Sequence, residues 1–451
     1  MATRIRRRTL LLSGAVAALA AGGALAVSNF RKPSGGEYAF PVENLPVAAV
    51  PGPTDQPVEV VYCAGWDSAA RAPVSPMSES VARAQDAAGG QYAAVLFVGG
   101  VARVVVEVCW SAHHAELWNV DDAGRRYRGV AYRRWPDGQL RLFEVRSWNY
   151  AGQDTPEFHG EEPTFEARVR RDASAAIETI AIMAVLSRSK LQTSRAWEAW
   201  PEQVRPPENV AVPAVGDWPR LAGMTGPITV RSGPTVVPAT FPWHPPSPLR
   251  PRHVTEVVTD GARFRTQDNR TLTIKRVSAG TIRLPSGRLL VADPGWLHTD
   301  PKPLATTAPP GTYPVDVFQV TENEKPLMTA ACRVTVTDVP VASWRLALRD
   351  GDQEMTLGDG EFFGNPVDTA ILALVDHTGM TAYSRAEIDA AMADKAVYST
   401  VSAKTADTDM IIVPGWSDGA FPVWLGYAEN GALCCFVLDM HVPDLATAQP
   451  A

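Results

Sequence analysis

The sequence predicts a mainly β protein with a few helices, an α+β chain of two domains joined by a Pro-rich connector. Three observations carry this expectation. Runs of β-branched and aromatic residues, separated by turn signals, recur in both halves of the chain. Residues 201–252 hold thirteen of the 38 prolines, so that stretch can form neither regular helix nor central strand. The 451 residues exceed what a single core ordinarily organises, and a 45% hydrophobic content is enough to bury two. A formal net charge of −7 and a pI of about 5.7 leave no general basic face, which removes nucleic acid from the expected partners.

The N-terminus reads as an address. Arg4, Arg6, Arg7 and Arg8 precede an uncharged run from Leu10 to Val27 that ends in Ala24-Leu25-Ala26, a small-x-small pattern suited to signal peptidase. Arg7-Arg8-Thr9-Leu10-Leu11 also fits the paired-arginine signal for export of folded proteins. The segment is therefore expected to be a cleaved signal peptide or, uncleaved, a membrane anchor spanning residues 10–27. In both cases the rest of the chain is expected outside the cytoplasm, secreted or held on the outer face of the membrane. Residues 28–56 carry Ser34-Gly35-Gly36 and several prolines and read as a flexible tether.

The first domain is expected over residues 57–200 as a β-meander plus a helix. Val58–Cys63, Tyr92–Val98 and the valine-rich run Val101–Trp110 read as strands. Asp121-Asp122-Ala123-Gly124 and Trp135-Pro136-Asp137-Gly138 read as the turns of two hairpins. Ile177, Ile180, Ile182, Met183, Val185 and Leu186 lie among alanines behind Asp172, and this pattern predicts a buried, Asp-capped helix from Asp172 to about Lys190. His113 and His114 are adjacent in a strand pattern and so point to opposite faces, which argues against a shared ligand site. The Pro-rich residues 201–252 form either a semi-rigid connector or a strap over one domain, and their aromatics favour the strap.

An exported chain can form disulfides. Of Cys63, Cys109, Cys332, Cys434 and Cys435, the Cys63–Cys109 pair is the one intradomain bond suggested in the first half, with buried free thiols as the alternative reading.

From about Val254 the pattern is again β. Here Leu284-Pro285-Ser286-Gly287-Arg288-Leu289-Leu290-Val291-Ala292-Asp293-Pro294, Pro309-Pro310-Gly311-Thr312-Tyr313-Pro314-Val315, Cys332-Arg333-Val334, Ser343-Trp344, Val367-Asp368 and Gly415-Trp416-Ser417-Asp418-Gly419 follow in an order that resembles a bacterial family, the domain of unknown function numbered 4241. The resemblance spans about residues 281–443 and implies a compact, mostly-β domain at 253–443, ahead of a tail at 444–451; it implies no activity. Relatives look to have Gly-Trp-Gly-Asp-Gly where this chain has Ser417, and an aromatic where it has Met440.

Gly415-Trp416-Ser417-Asp418-Gly419 matches the spacing of a nucleophile elbow, which requires a strand before the serine and a helix after it. Phe421–Tyr427 alternates like a strand and contains Pro422, so Ser417 is a poor nucleophile and a tight turn is the better reading. Asn430-Gly431 at a two-residue turn would pair Glu429 with Ala432. That register sets Phe421 against Met440, Val423 against Leu438, Leu425 against Phe436 and Tyr427 against Cys434, and on the other face brings Asp418, Asp439 and His441 together. Two carboxylates and an imidazole suit acid/base catalysis or a hard metal, with Asp293 and Asp368 as possible additions; the competing reading is that these aspartates accept backbone N–H bonds in turns. Ser384-Arg385-Ala386-Glu387 has capping-box spacing and predicts a helix to about Lys395.

The expected function is thus an extracytoplasmic binding or interaction module for a protein or small molecule. The alternative is a hydrolase or metal-dependent enzyme using Asp418, Asp439 and His441. No particular cofactor or metal is specified by the residues.

Overall fold

The computed structural model describes residues 54–450 apart from 160–162, 172–173, 176, 187–188, 195–205, 394–396, 405, 443–444 and 446–447. The N-terminal signal or anchor and nearly all of the tether lie outside the described residues. With 45% of residues in strands and 13% helical, the chain is mainly β. Among the described residues no helix is long and apolar enough to cross a membrane. The residues fall into two compact units divided between Ser247 and Pro248.

The first unit is one sheet built mostly as an antiparallel meander. Its strands are Val58–Asp67 (β1), Ala72–Pro76 (β2), Gln91–Val98 (β3), Val101–Cys109 (β4), His114–Val120 (β5), Arg126–Arg134 (β6), Gln139–Ser147 (β7), Phe165–Arg171 (β8), Ile177–Leu186 (β9), Ser189–Ser194 (β10), Asn209–Ala211 (β11) and Ile228–Val230 (β12). The order is β10-β9-β8-β7-β6-β5-β4-β3-β1-β12, with β2 also on β1 and β11 also on β7. Both expected hairpin turns are present, closed by Gly124 N–H to Asp121 C=O and by Gly138 N–H to Trp135 C=O, each at 2.9 Å.

The expected helix from Asp172 is instead the hairpin β9–β10. Ile177, Ile180, Ile182 and Val185 are β-branched, and a short, uniformly apolar run has no period that separates a buried helix from a buried strand. The alternating Phe165–Arg171 supplies the partner that decides it, pairing Phe165 with Ala184 through Arg171 with Ile177. The helix this unit does contain is Glu79–Ala87, whose start is capped by the Ser78 hydroxyl accepting from Val81 N–H.

From residue 206 the Pro-rich stretch is a strap laid along this unit. β11 and β12 add to β7 and β1. Trp218 is fully buried, stacks on Trp110 at 6.2 Å and donates its indole N–H to the Tyr92 hydroxyl. Trp243 donates its own to Ala64 C=O at 2.9 Å. Short strands between prolines and inserted aromatics are what a chain with few free donors can contribute to a sheet.

The second unit packs sheet on sheet. Its strands are Arg263–Arg265 (β13), Thr271–Leu284 (β14), Leu289–Ala292 (β15), Gly311–Glu322 (β16), Lys325–Thr335 (β17), Ser343–Leu346 (β18), Asn365–Val367 (β19), Ile371–Asp376 (β20), Ser399–Ser402 (β21), Asp409–Pro414 (β22), Gly419–Phe421 (β23), Val423–Tyr427 (β24), Leu433–Asp439 (β25) and Gln449–Pro450 (β26). They form an eight-stranded sheet β18-β24-β25-β17-β16-β14-β13-β26, a four-stranded sheet β15-β20-β22-β21 and the pair β19-β23.

The four-stranded sheet shows period two directly. Leu289, Val291, Leu372, Leu374, Ile411 and Val413 enter the core shared with the large sheet. Leu290, Ala292, Ala373, Val375, Met410 and Ile412 face a second core closed by Ile388 of the helix Arg385–Ala393. Its predicted capping box is present: Ser384 N–H donates to Glu387 Oε2 at 2.9 Å, and Glu387 N–H donates to the Ser384 hydroxyl at 3.3 Å.

All five cysteines are free and buried, so Cys63 and Cys109 do not form the suggested bond. Burial pushes the Cys63 and Cys332 thiols up to about 12, which keeps them protonated and unreactive at neutral pH.

One glycine in the first unit tests its packing. A Cβ on Gly129 would lie 2.6 Å from Glu116 Oε1 and 2.7 Å from the Trp118 ring, both buried. Gly129→Ala is expected to cost about 1–3 kcal/mol by overpacking. Gly152→Ala, which meets nothing within 4 Å, is expected to stay within about 0.5 kcal/mol of the parent. Urea denaturation of both variants checks this, and equal midpoints would contradict the packing.

Candidate functional site

The hairpin leading to the expected site is built differently from the prediction, yet most of its register agrees. The loop is three residues, not two: Ala428 N–H donates to Ala432 C=O and Gly431 N–H to Ala428 C=O, both at 2.9 Å, with Gly431 at φ +81. This pairs Tyr427 with Leu433, one residue off the expectation. Cys434 is then passed over in a bulge, which restores Gly426↔Cys435, Leu425↔Phe436 and Val423↔Leu438. The two departures cancel. Cys434 therefore has no partner across the hairpin, and the expected Tyr427–Cys434 pair is absent.

Beyond Val423 the expected convergence fails. The ladder reaches its last bond where Asp439 N–H donates to Pro422 C=O at 3.0 Å. Pro422 has no N–H with which to continue it, and β23 turns to pair with β19 instead, setting Ala420 against Pro366. Asp418, Asp439 and His441 are thereby divided into two places.

Asp439 and His441 remain together. Asp439 Oδ1 accepts His441 N–H at 2.8 Å and Oδ2 accepts the Trp424 indole N–H at 3.1 Å. His441 Nε2 is 3.7 Å from Asp439 Oδ2, and the imidazole meets the Phe362 ring edge-on at 5.5 Å.

Asp418 instead joins Asp293 and Asp368 at the turn between β19 and β20. Asp293 is 0% exposed. Its Oδ1 accepts Gly295 N–H at 2.7 Å, and its Oδ2 accepts Asp368 N–H, Thr369 N–H and the Thr369 hydroxyl, each at 2.9 Å. Asp418 Oδ1 accepts the next amide, Ala370 N–H, at 3.0 Å. Three consecutive backbone donors are thus met by two carboxylates, and Ala370 is held at φ +52. Asp368 contributes its backbone to this arrangement.

Asp376 plays the equivalent part at the other end of the β15–β20 ladder. It is buried and accepts N–H and hydroxyl bonds from Ser286 and Thr378. Ser417 bonds the Asp418 carbonyl and is followed by strand β23, so it lacks both the base and the helix of a nucleophile elbow. Among the described residues no three His, Cys, Asp or Glu side chains cluster as a metal site.

The first unit holds a polar cluster that was not anticipated. Across five strands, Glu107 lies opposite Glu116, Glu116 opposite Ala131, Ala131 opposite Glu144 and Glu144 opposite Arg168. Arginines answer the acids: Arg126–Glu107 at 3.2 Å, Arg146–Glu116 at 2.7 Å and Arg168–Glu144 at 2.6 Å. Arg126 also holds Glu157 at 3.0 Å. His114 Nδ1 lies 2.9 Å from Arg133 Nη1, and burial followed by the neighbouring Arg133 holds this imidazole neutral, far below its ordinary pKa. His113 sits in a left-handed turn and is exposed. The available signal was Glu107, Glu116 and Glu144 recurring among the apolar residues of strands with two covered faces.

Two buried carboxylates respond differently to their surroundings. Glu144 is held below the usual range because Arg146 and Arg168 overcome the cost of burial. At Glu107 burial wins over Arg126, with Glu116 adding to it, and the carboxyl is pushed up to about 7.

Residues 282–438 match the model of a family described as "Protein of unknown function (DUF4241)". The match includes Asp293, the 368–370 turn, Asp376 and Asp418. No curated protein and no solved structure matches the chain.

The Glu107 shift fixes a pH dependence. The folded chain keeps this proton up to about pH 7, against 4.5 for an ordinary glutamate, so it binds the extra proton between those values. Its contribution to stability is full below about pH 4.5 and is lost as pH rises towards 7, by up to roughly 3 kcal/mol. Compared with the parent, Glu107→Gln is expected to lose less stability over that window in urea titrations, and parallel curves would contradict the assignment.

Proposed function

We propose, starting from a C-terminal domain of unknown function, that the chain is an exported binding or interaction module. One observation supports this best. The carboxylates at the expected site already serve as hydrogen-bond acceptors for the fold: Asp293 for three amides and a hydroxyl, Asp418 for Ala370, Asp439 for His441 and Trp424. A general base needs a lone pair turned towards a substrate proton. Here both oxygens of Asp293 and both of Asp439 face backbone, hydroxyl or indole donors, and Oδ1 of Asp418 faces Ala370 N–H. Export rests on the Arg-rich start and apolar run of residues 4–27.

A second reading, a hydrolase working through Asp439 and His441, has its own support in the 3.7 Å approach of His441 Nε2 to Asp439 Oδ2. The two readings separate in one set of measurements on the full chain. The binding module is expected to show no hydrolysis of p-nitrophenyl acetate or p-nitrophenyl phosphate above buffer between pH 5 and 9. Asp439→Ala, which strips acceptors from two N–H groups, is expected to lower stability by about 1–3 kcal/mol. Turnover that disappears in His441→Ala at unchanged melting temperature would establish the enzyme reading.

A further inference from the structure

We infer that the open edge of β21, with the groove beside it, takes up an extended peptide of a partner protein by strand addition; this rests on the binding-module reading and gives it a ligand class. Among the described residues β21 is the last strand of the four-stranded sheet, paired with β22 alone. Two hydrogen bonds fix which of its backbone groups point outward. Ala403 N–H donates to Thr408 C=O at 3.1 Å, and the register continues from Ser402↔Asp409 to Ser399↔Ile412. Alternate pairs of an antiparallel ladder carry its bonds, so Ala403, Val401 and Ser399 turn their backbone groups towards β22, and Thr400 and Ser402 turn theirs away. The other side of β22 agrees. Gly415 N–H donates to Ala370 C=O at 2.8 Å, which commits Val413 and Ile411 to β20 and leaves Ile412 and Met410 for β21. Thr400 and Ser402 are both exposed.

An unpaired edge is ordinarily blunted by lysine, proline, a bulge or a covering loop. The opposite edge of this sheet has such a cover, since Leu304 N–H donates to Leu289 C=O at 2.9 Å. Ser399-Thr400-Val401-Ser402 contains neither lysine nor proline, and its register with β22 runs without a bulge. This edge is left able to pair.

A groove of about 570 Å³ adjoins it, lined by Val277 of β14, Ala390 and Ala391 of the helix Arg385–Ala393, Val397, and Ser399 and Thr400 of β21. The large sheet, to which β14 belongs, covers one face of the four-stranded sheet, and the helix closes the core on the other. A groove lined by both therefore lies past the edge, where the two covers extend beyond the last strand. Val277, Ala390 and Ala391 make its walls small and apolar. The ions next to the strand in sequence or register are engaged with one another, Lys404 with Glu387 at 2.7 Å and Arg283 with Asp409 at 2.8 Å.

These features narrow the occupant. Main-chain donors and acceptors repeating at strand spacing are matched by another extended backbone. A second copy meeting this one edge to edge would bring its own helix and β14, and the overhanging covers of the two copies would meet before their strands. A single strand fits between the covers. With apolar walls and the neighbouring ions already paired, its inward side chains are expected to be Val, Ile or Leu at every second position.

The test selects a random dodecapeptide phage library on the full chain and measures the most enriched peptide, synthesised with a fluorescein label, by anisotropy. Enriched sequences are expected to alternate aliphatic and polar residues, and the bound peptide to slow amide exchange at Thr400 and Ser402. Thr400→Pro removes an outward N–H while leaving the bonds to β22 in place, and should weaken binding at least about tenfold. Ala390→Trp, which fills the groove from an exposed helix position, should do the same and serves where Thr400→Pro does not fold. Equal affinity in the parent and the folded variants overturns strand addition while leaving a binding module in place. A selection without enrichment also overturns it, as does unchanged exchange at Thr400 and Ser402. A dimer in sedimentation that dissociates in Thr400→Pro puts a second copy on the edge in the peptide's stead, against the proposal. The binding-module reading itself fails only on the separate finding of His441-dependent turnover.

Discussion

The second unit depends on how one turn satisfies its backbone. Between β19 and β20 the chain presents the N–H groups of Asp368, Thr369 and Ala370 in succession, and no strand can accept them. Asp368 and Thr369 are themselves exposed, but their N–H groups meet the fully buried Asp293, whose carboxylate needs such donors in place of water. Asp293 enters from the end of β15 and Asp418 from the turn before β23, and together they answer all three. Each carboxylate also ties its own segment to the turn, so the four-stranded sheet and the β19–β23 pair are joined at one point. Asp376 repeats the device at the far end of the β15–β20 ladder. Residues that look like a catalytic set thus hold the architecture.

The first unit solves a related problem with side chains. Its sheet carries acids on covered strands, and burying a charge is tolerable only with a partner in place. The row Glu107, Glu116, Glu144 and the arginines Arg126, Arg146 and Arg168 meets that condition by pairing across neighbouring strands. Glu107 is the exception, since burial outweighs its arginine. Gly129 gives the row its room, because a side chain there would occupy the space of Glu116 and Trp118.

Much of this was legible from residues, for identifiable reasons. The mainly β class followed from runs of β-branched and aromatic residues bounded by turn signals, such as Tyr92–Val98 and Val101–Trp110, which lie in β3 and β4 but for Trp110. The capping box at Ser384 and the turns at Gly124 and Gly138 have local chemistry that tertiary context did not override. The β9 run reads as a helix from its own residues because the choice between helix and strand is made by its neighbour β8, which pairs with it from Phe165↔Ala184 to Arg171↔Ile177. The helix Glu79–Ala87 has few apolar residues to mark it; only Val81 and Ala82 are buried. At the hairpin, a loop one residue longer than expected and the bulge at Cys434 offset each other, so the register beyond Gly426 agreed without its cause being visible. The candidate site was half legible: Asp439 and His441 do meet, but Pro422 ends the ladder and sends Asp418 to Ala370. The residues alone show that a proline weakens a ladder, not which strand takes over.

The central claim is that Asp293 and Asp418 divide the three amides of the turn between them. Site-resolved amide hydrogen exchange across residues 367–371 tests it most directly. Asp418→Ala is expected to speed exchange at Ala370 while Asp368 and Thr369 stay protected, and Asp293→Asn to speed exchange at Asp368 and Thr369. Unchanged protection at Ala370 in Asp418→Ala, or at Asp368 and Thr369 in Asp293→Asn, would contradict the account.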